Sequence, residues 1–278
     1  MPTCRYERGA YRCDWESDEA GDGFCILHSK NPGKDKDAFE QALNTHRERY
    51  GDIFIGFVFP PSTSFSRATF INHADFTNAA FTGCASFGSV SFSADADFSG
   101  AFFNGAADFR NALFNENADF AEASFTEDVD FTNASFSGLT SFAAASFFGD
   151  ADFSGAFLSG NADFVGASFN GDASSIGTLF SGDASFVGTS FSENADFADV
   201  SFSEDADFSS ASFSGDADFR NASFSEDASF IGATFSGHAD FTNASFNGDA
   251  TFIGASFTQN VAFRYVKFLG RSLFISEK

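Results

Sequence analysis

Several residue types are scarce in this chain of 278 residues, which has one Met, one Trp, four Pro and four Cys. Lys and Arg number 15 against 39 Asp and Glu, and residues 68–263 contain only two of the basic ones, Arg110 and Arg220. Proteins bind nucleic acid or anionic membranes through Lys and Arg, which displace counterions. The composition therefore excludes nucleic acid and membranes as direct partners.

Long apolar segments are also missing. No run of 18 or more apolar residues occurs, which excludes a transmembrane helix. The N-terminal stretch MPTCRYERGAYRCDWESDEAG is polar and lacks the apolar centre of a signal peptide, so we expect a cytoplasmic protein. The excess of acids over Lys is typical of proteins from a high-salt cytoplasm, and it is equally compatible with a property of one repeated unit.

Catalytic patterns are absent from the sequence. No Lys follows the corner glycines of the repeats as in a phosphate-binding loop, while Ser and Asp recur as filler and His occurs only four times. Carboxylates are abundant, but a regular face without a pocket does not shift their pKa values toward acid–base chemistry. We therefore expect no enzymatic activity.

Phe is the residue that the chain has in excess, with 45 copies, and most of them recur at alternating intervals of five and six residues. Two series with steps of eleven residues run from Phe54 to Phe274 and from Phe59 to Phe268. They hold 41 positions, of which 39 are Phe and the exceptions are Leu158 and Ser175. A fixed short period sustained over this length predicts a stacked solenoid. At Ser175 either Ile176 or Leu179 fills the missing ring's place, or a notch remains.

The commonest unit reads A-D-F-x-x-A-S-F, as in residues 217–224. An apolar residue two positions before Phe, with a polar residue between them, predicts a short strand with Ala and Phe on its inner side. Gly, Ser, Asn and Asp in the linking positions predict turns. Strands this short must stack on copies of themselves, about 4.8 Å apart, so that the Phe rings form columns.

This unit resembles that of the pentapeptide-repeat family, A-(D/N)-(L/F)-x-x, over roughly residues 54–274. The resemblance implies an all-β solenoid, a right-handed quadrilateral β-helix with one unit per side. Every second corner has one extra residue here, so four sides take 22 residues and the chain makes about ten coils over roughly 48 Å. The alternative is a flat two-sided solenoid with eleven residues per coil.

Aspartates are expected on two opposite faces of the four-sided solenoid, at the outward position before a central Phe. One face carries the six that we regard as an interaction surface, Asp108, Asp130, Asp152, Asp196, Asp218 and Asp240. The opposite face carries Asp75, Asp97, Asp119, Asp163 and Asp207. The remaining two faces carry mainly Ser and are nearly neutral.

A Cys/His segment, residues 1–34, precedes the repeats. Its candidate metal ligands follow the spacing C-x8-C-x11-C-x2-H and are Cys4, Cys13, Cys25 and His28. Cytoplasmic Cys more often bind metal than form disulfides, and three thiolates with one imidazole complete a structural tetrahedral zinc site. The alternative is three unligated Cys and a surface His. Similar Cys/His segments precede Phe-type repeats in some prokaryotic members of the family.

Residues 35–51 are expected to form a helix that begins at the D-x-x-E signal of Asp37 and Glu40. A helix directly before the first coil covers the open Phe stack as a cap, although it could instead dock a partner. The repeat body then spans residues 52–274, followed by a tail at 275–278.

No comparable cap follows the last coil. Phe268, Leu273 and Phe274 would leave apolar rings and strand edges open, which favours association. We expect a homodimer through this coil, as the family resemblance also implies. The alternative is an irregular segment that folds back as a plug.

The function indicated is that of a non-enzymatic protein-interaction scaffold with an unidentified protein partner. The first alternative is a DNA mimic, because some pentapeptide-repeat proteins resemble duplex DNA in width and charge and bind the topoisomerase DNA gyrase. The acidity of this chain is compatible with that role. The second alternative is a fragment or module of a larger protein.

Overall fold

The repeats coil into a solenoid with four parallel sheets in the computed structural model, which describes residues 4–8, 11–17, 22–31 and 33–274. Neighbouring strands pair residues 22 positions apart, as Ala96 pairs with Ala118. One coil therefore takes 22 residues and four strands, which confirms the four-sided all-β solenoid of about ten coils. The two-sided solenoid with eleven residues per coil is wrong.

The four sheets are numbered here as faces 1 to 4, in the order in which the chain visits them. Within the described residues each sheet has ten strands. Face 1 comprises Val58–Phe59, Ala80–Phe81, Phe102–Phe103, Ser124–Phe125, Ser146–Phe147, Ser168–Phe169, Ser190–Phe191, Ser212–Phe213, Thr234–Phe235 and Ser256–Phe257. Face 2 comprises Thr63–Ser64, Ala85–Ser86, Ala107–Asp108, Val129–Asp130, Ala151–Asp152, Ala173–Ser174, Ala195–Asp196, Ala217–Asp218, Ala239–Asp240 and Val261–Ala262. Face 3 comprises Thr69–Phe70, Ser91–Phe92, Leu113–Phe114, Ser135–Phe136, Phe157–Leu158, Leu179–Phe180, Ser201–Phe202, Ser223–Phe224, Ser245–Phe246 and Lys267–Phe268. Face 4 comprises Ala74–Asp75, Ala96–Asp97, Ala118–Asp119, Thr140–Ser141, Ala162–Asp163, Ala184–Ser185, Ala206–Asp207, Ala228–Ser229, Ala250–Thr251 and Ser272–Leu273.

Burial alternates along each unit as the period of two predicts. Ala118 and Phe120 are buried, while Asp119 between them is partly exposed. Phe98 stacks on Phe120 one coil later, with ring centroids 4.8 Å apart and planes 1° apart. Rings from opposite faces meet edge to face, as Phe109 and Phe120 do at 5.5 Å and 90°. The interior is thus a set of aromatic columns in both favoured ring geometries.

The F-x-x-A corners are hydrogen-bonded turns. In one of them the Ala79 N–H donates to the Phe76 carbonyl oxygen at 2.9 Å. Asn78, the third residue of this turn, has φ of 53°, and the equivalent Gly100 has φ of 61°. Because positive φ favours Gly and Asn, these residues recur at this corner for a conformational reason.

A 15-residue helix, α1 (Lys36–Tyr50), precedes the first coil. The Asp35 carboxylate caps it by accepting a hydrogen bond from the Ala38 N–H at 2.8 Å. The expected start signal at Asp37 and Glu40 was therefore placed too late, since Asp37 already lies in the first helical turn. In the part of the chain that the structure describes, no helix has the length and apolar composition needed to cross a bilayer.

Helix α1 packs against the N-terminal end of the first coil, as expected for a cap. The Phe39 ring contacts the Phe59 ring edge to face, with centroids 5.7 Å apart. The buried His46 ring meets Phe57 at 4.9 Å, and its Nε2 donates to the Ile53 carbonyl oxygen at 2.6 Å. Before the helix, an antiparallel ribbon pairs Glu7–Arg8 with Tyr11–Arg12.

Truncating one interior ring tests the aromatic columns. We expect Phe120→Ala to lower the free energy of unfolding by about 3–5 kcal/mol, because the ring is fully buried between stacked neighbours. Phe148 is 55% exposed, so the control Phe148→Ala should change it by less than about 0.5 kcal/mol. Urea unfolding followed by circular dichroism measures both, and equal losses would contradict the inward placement of the central Phe.

Candidate metal centre and acidic faces

The four candidate metal ligands come together in the structure. Cys4, Cys13, Cys25 and His28 are buried, and their ligand atoms all lie within 4.8 Å of one another. The Sγ atoms of Cys13 and Cys25 are 3.7 Å apart, and Cys4 Sγ is 3.7 Å from His28 Nδ1. Zinc–sulfur bonds of about 2.3 Å in a tetrahedral site place sulfur atoms roughly 3.8 Å apart. The cluster therefore has the dimensions of a tetrahedral metal site.

Local backbone contacts bring the ligands into place. Cys13 N–H donates to the Tyr6 carbonyl oxygen at 3.1 Å, which continues the pairing of the antiparallel ribbon. A tight turn joins the other two ligands, because His28 N–H donates to the Cys25 carbonyl oxygen at 3.0 Å. The Cys25 N–H points at Cys4 Sγ from 3.2 Å. This amide hydrogen bond stabilises a thiolate at Cys4.

His28 connects the cluster to the solenoid. Its Nε2 lies 3.1 Å from the carbonyl oxygen of Ile55 in the first coil. A carbonyl only accepts, so Nε2 carries the proton and Nδ1 has the lone pair that a metal requires. Nδ1 is 3.2 Å from Cys25 Sγ. The Ile55 carbonyl thus orients the imidazole from outside the cluster, as partners of metal-bound His commonly do.

The thiols of the cluster affect one another's protonation. Burial raises the pKa of Cys4. The hydrogen bond between Cys13 and Cys25 raises the pKa of Cys13 and lowers that of Cys25 to about 4. One thiolate is therefore supported by its neighbours, whereas three buried thiolates need the positive charge of a bound cation.

The six aspartates expected on one face form a single column on face 2. They are paired in register, with Ser174 between the third and the fourth: Asp108, Asp130, Asp152, Asp196, Asp218 and Asp240. Asp75, Asp97, Asp119, Asp163 and Asp207 lie on face 4. Because the chain visits the faces in turn, faces 2 and 4 are opposite.

Each of these aspartates also has a local structural role that the sequence analysis missed. Asp152 Oδ1 accepts a hydrogen bond from the Ser154 N–H at 2.8 Å, which closes an Asx turn at the corner. The same bond, from the amide two residues on, occurs at every aspartate of both columns. Turn formation is therefore sufficient to explain why Asp occurs at these positions, without any role in binding a partner.

A second set of aspartates links successive coils at the longer corners. Asp128 Oδ1 accepts from the Asp150 N–H at 3.0 Å, and Asp150 Oδ1 accepts from the Asp172 N–H at 2.9 Å. Asn117 makes the same bond to the Leu139 N–H at 3.0 Å. An uncharged amide oxygen is therefore sufficient for this contact.

Arg110 and Arg220, the basic residues within the acidic body, both lie at face 2. Arg110 Nε is 2.9 Å from Asp108 Oδ1 and 3.5 Å from Asp130 Oδ2. Arg220 pairs with Asp218 at 2.5 Å. The hydrogen bond from Arg110 lowers the pKa of Asp108. Two sections of face 2 are thus partly neutralised, a difference from face 4 that the residue pattern alone did not indicate.

The last described coil leaves apolar side chains accessible to solvent. Leu273 is 42% exposed and Phe274 is 51% exposed, although Phe274 stacks on Phe252 at 4.8 Å. Phe268 is partly exposed. The expected tail at residues 275–278 lies outside the described residues.

A four-sided parallel β-solenoid with a Phe- and Ala-lined interior defines a class of repeat proteins. The family model described as pentapeptide repeats (9 copies) matches residues 87–135, 120–168, 164–212, 199–245 and 230–275, which is more than half of the chain. The chain belongs to the pentapeptide-repeat family, as its sequence pattern predicted, and this family has protein-interaction roles. A comparison with curated proteins finds no match.

Replacing one thiol tests the metal centre and its connection to the first coil. We expect Cys25→Ser to lose bound metal and to speed hydrogen exchange at Val58, whose N–H donates to Leu27 at 2.7 Å. The control is Cys84→Ser, because Cys84 is exposed and outside the cluster. Elemental analysis and hydrogen-exchange mass spectrometry measure the two effects. Equal metal content in both variants would argue against ligation by Cys25.

Proposed function

We propose that Cys4, Cys13, Cys25 and His28 bind a structural zinc ion. Three sulfurs and one nitrogen in a tetrahedral arrangement suit zinc and leave no position open for substrate. The small segment before α1 has little apolar content, so metal binding would supply much of its folding free energy. A thiolate site of this kind suits a reducing cytoplasm, where we place the protein. Elemental analysis that finds no zinc in the native protein would contradict this assignment.

The proposed zinc would stabilise the closed end of the solenoid. His28 donates to the Ile55 carbonyl oxygen, and Lys34 Nζ donates to the Val58 carbonyl oxygen. Both acceptors lie in the first coil, which no earlier repeat covers. Occupied edge groups do not pair with strands of other chains.

We propose that the repeat body is a non-enzymatic scaffold that binds a basic surface of a partner protein. The supporting observation is the pair of acidic columns on the opposite faces 2 and 4. Within each column, backbone hydrogen bonds hold successive positions one coil apart. A rigid surface loses little conformational entropy on binding, and its charge directs encounter with a basic partner.

The charge density of the repeat body supports a second candidate function, binding to a protein that normally binds DNA. Residues 68–263 carry 27 acidic and two basic residues over nearly nine coils of 22 residues. At about 4.8 Å per coil they span roughly 43 Å, so the net charge averages about one per 1.7 Å of axis. Duplex DNA carries about one negative charge per 1.7 Å. This correspondence supports mimicry of DNA toward a topoisomerase such as DNA gyrase.

Charge-removing substitutions on one face test both candidates. Asp→Asn keeps a side-chain oxygen that can accept the turn amide and removes only the charge. An Asn oxygen already accepts a backbone amide at a longer corner, where Asn117 accepts from the Leu139 N–H of the next coil. We expect the triple variant of Asp108, Asp130 and Asp152 to weaken binding to purified gyrase at about 0.15 M salt, by at least about tenfold.

The matched control is the triple Asp→Asn variant of Asp75, Asp97 and Asp119 on face 4. If only one of the two triple variants binds gyrase more weakly, its face is the binding face. Competition between duplex DNA and this protein for gyrase would support mimicry. Gyrase binding that neither triple alters would contradict the acidic-face proposal. No gyrase binding at any salt concentration would remove the DNA-mimic candidate and leave the scaffold to be tested with other basic proteins.

We propose that the chain also forms a homodimer through its last coil, because Leu273 and Phe274 are exposed there. Light scattering after size exclusion should give a dimer for the native protein and a monomer for Leu273→Asp. Leu139 is 59% exposed in the middle of the body, so Leu139→Asp is the control and should remain dimeric. A native protein that is monomeric at all concentrations would contradict this interface.

A further inference from the structure

One layer of the aromatic interior lacks a ring. Ser175 occupies the inward position on face 2 that Phe153 fills one coil earlier and Phe197 one coil later. A serine side chain ends where a phenylalanine ring begins. Residue 175 therefore leaves most of the volume of one phenyl group unfilled.

The coils do not close over this gap. Ser175 N–H donates to the Asp196 carbonyl oxygen at 2.7 Å, and Phe153 N–H donates to Ser174 at 2.7 Å, as in intact layers. The Phe153 ring keeps its stacking distance of 4.9 Å from Phe131 on the preceding side. The backbone ladder thus holds the layers at their normal spacing, with the missing ring's place between them.

Neither Ile176 nor Leu179, the two residues expected as substitutes for the missing ring, fills its place. Ile176 is 43% exposed, and Leu179 occupies the outward position of a face 3 strand whose Phe180 is buried.

Rings around the gap retain small accessible areas. Phe153 is 3% exposed and Phe164, Phe186 and Phe197 are each 2% exposed. Rings in complete layers, such as Phe109, Phe120, Phe131, Phe208, Phe219 and Phe230, are 0% exposed. Between Phe70 and Phe246, the only other inward ring with 2% or more exposure is Phe169, which lies in the same layer as Ser175. Phe65 and Phe252, at 7% and 3%, lie near the two ends of the solenoid. Within the body the increase therefore surrounds position 175, which locates a cavity there.

The cavity has one polar group that is not already bonded. Thr178 and Thr189 donate their hydroxyls to the carbonyl oxygens of Phe153 and Phe164, each at 2.7 Å. Ser175 is 91% buried, since 9% of it is exposed, and its hydroxyl bonds to no other described residue. A buried water needs two to four polar partners, so a cavity with one hydroxyl among phenyl rings is poorly suited to water.

We propose that the space beside Ser175 binds a short-chain alcohol, a small uncharged molecule with an apolar body and one hydroxyl. The apolar body takes the place of the missing ring between Phe153 and Phe197, and the hydroxyl bonds to Ser175 Oγ. Apolar cavities in proteins take up ligands of this size when opening motions admit them. The site lies on the inner side of face 2, so it differs from the outward aspartates of that face and from the metal centre.

Three variants of the full chain separate the cavity from the hydrogen bond. Xenon detected by ¹²⁹Xe NMR probes the apolar space, and 1-propanol detected by ligand-observed NMR probes both features. We expect both probes to bind saturably to the native protein and neither to Ser175→Phe, which should also unfold at a higher urea concentration. Ser175→Ala should keep xenon binding and lower propanol affinity by about 2- to 10-fold, the effect of one hydrogen bond.

Each other result counts against the proposal. Equal binding of xenon to the native protein and to Ser175→Phe would show that the probe sits elsewhere. Xenon binding without propanol binding would reject the alcohol and keep only the cavity. Should Ser175→Phe fail to fold, Ser175→Ala still decides, because equal propanol affinity in the alanine variant rejects the hydrogen bond and no binding of either probe rejects the cavity.

Discussion

The hydrogen bonds between successive coils are the constraint on which this structure depends. They set one spacing for all layers, and every inward side chain must repeat at that spacing. Flat phenyl groups meet this requirement, since Phe98 and Phe120 stack at 4.8 Å while Phe109 fills the angle between them. A side chain that packs well in one layer packs well in the next, which explains why 45 of 278 residues are Phe.

The same repetition links stability to charge. At the corners that follow the strands of faces 2 and 4, a side-chain oxygen can accept an amide hydrogen, and Asp does so in most coils, as Asp152 does for Ser154. Repeating that turn over the solenoid builds two acidic columns as a consequence of local structure. Recognition of a basic partner would then use a surface that folding already required, so acidity by itself does not distinguish a binding face from a well-formed corner.

The periodic sequence made the fold of the repeat body predictable, whereas individual contacts between side chains could not be predicted from it. The steps of eleven residues predicted the Phe columns. The opposite Asp faces also needed the four-sided geometry, which came from the family resemblance. The residue types and their spacing predicted the Cys/His cluster. Helix α1 was predicted, but its start depends on which carboxylate reaches an amide, and Asp35 does so instead of Asp37. The hydrogen bond between His28 and the Ile55 carbonyl depends on how the Cys/His segment packs on the first coil, which a local sequence pattern does not show.

The contact between His28 and Ile55 has a consequence for how the chain finds its alignment. Nearly identical layers are interchangeable, and a chain that skipped one coil would still match Phe to Phe and Asp to Asp. The N-terminal segment and helix α1 are different, because their groups bond to the carbonyls at Ile53, Ile55 and Val58 beside the first coil. These contacts therefore fix the register of the first coil, and the register of each later coil follows from the one before it.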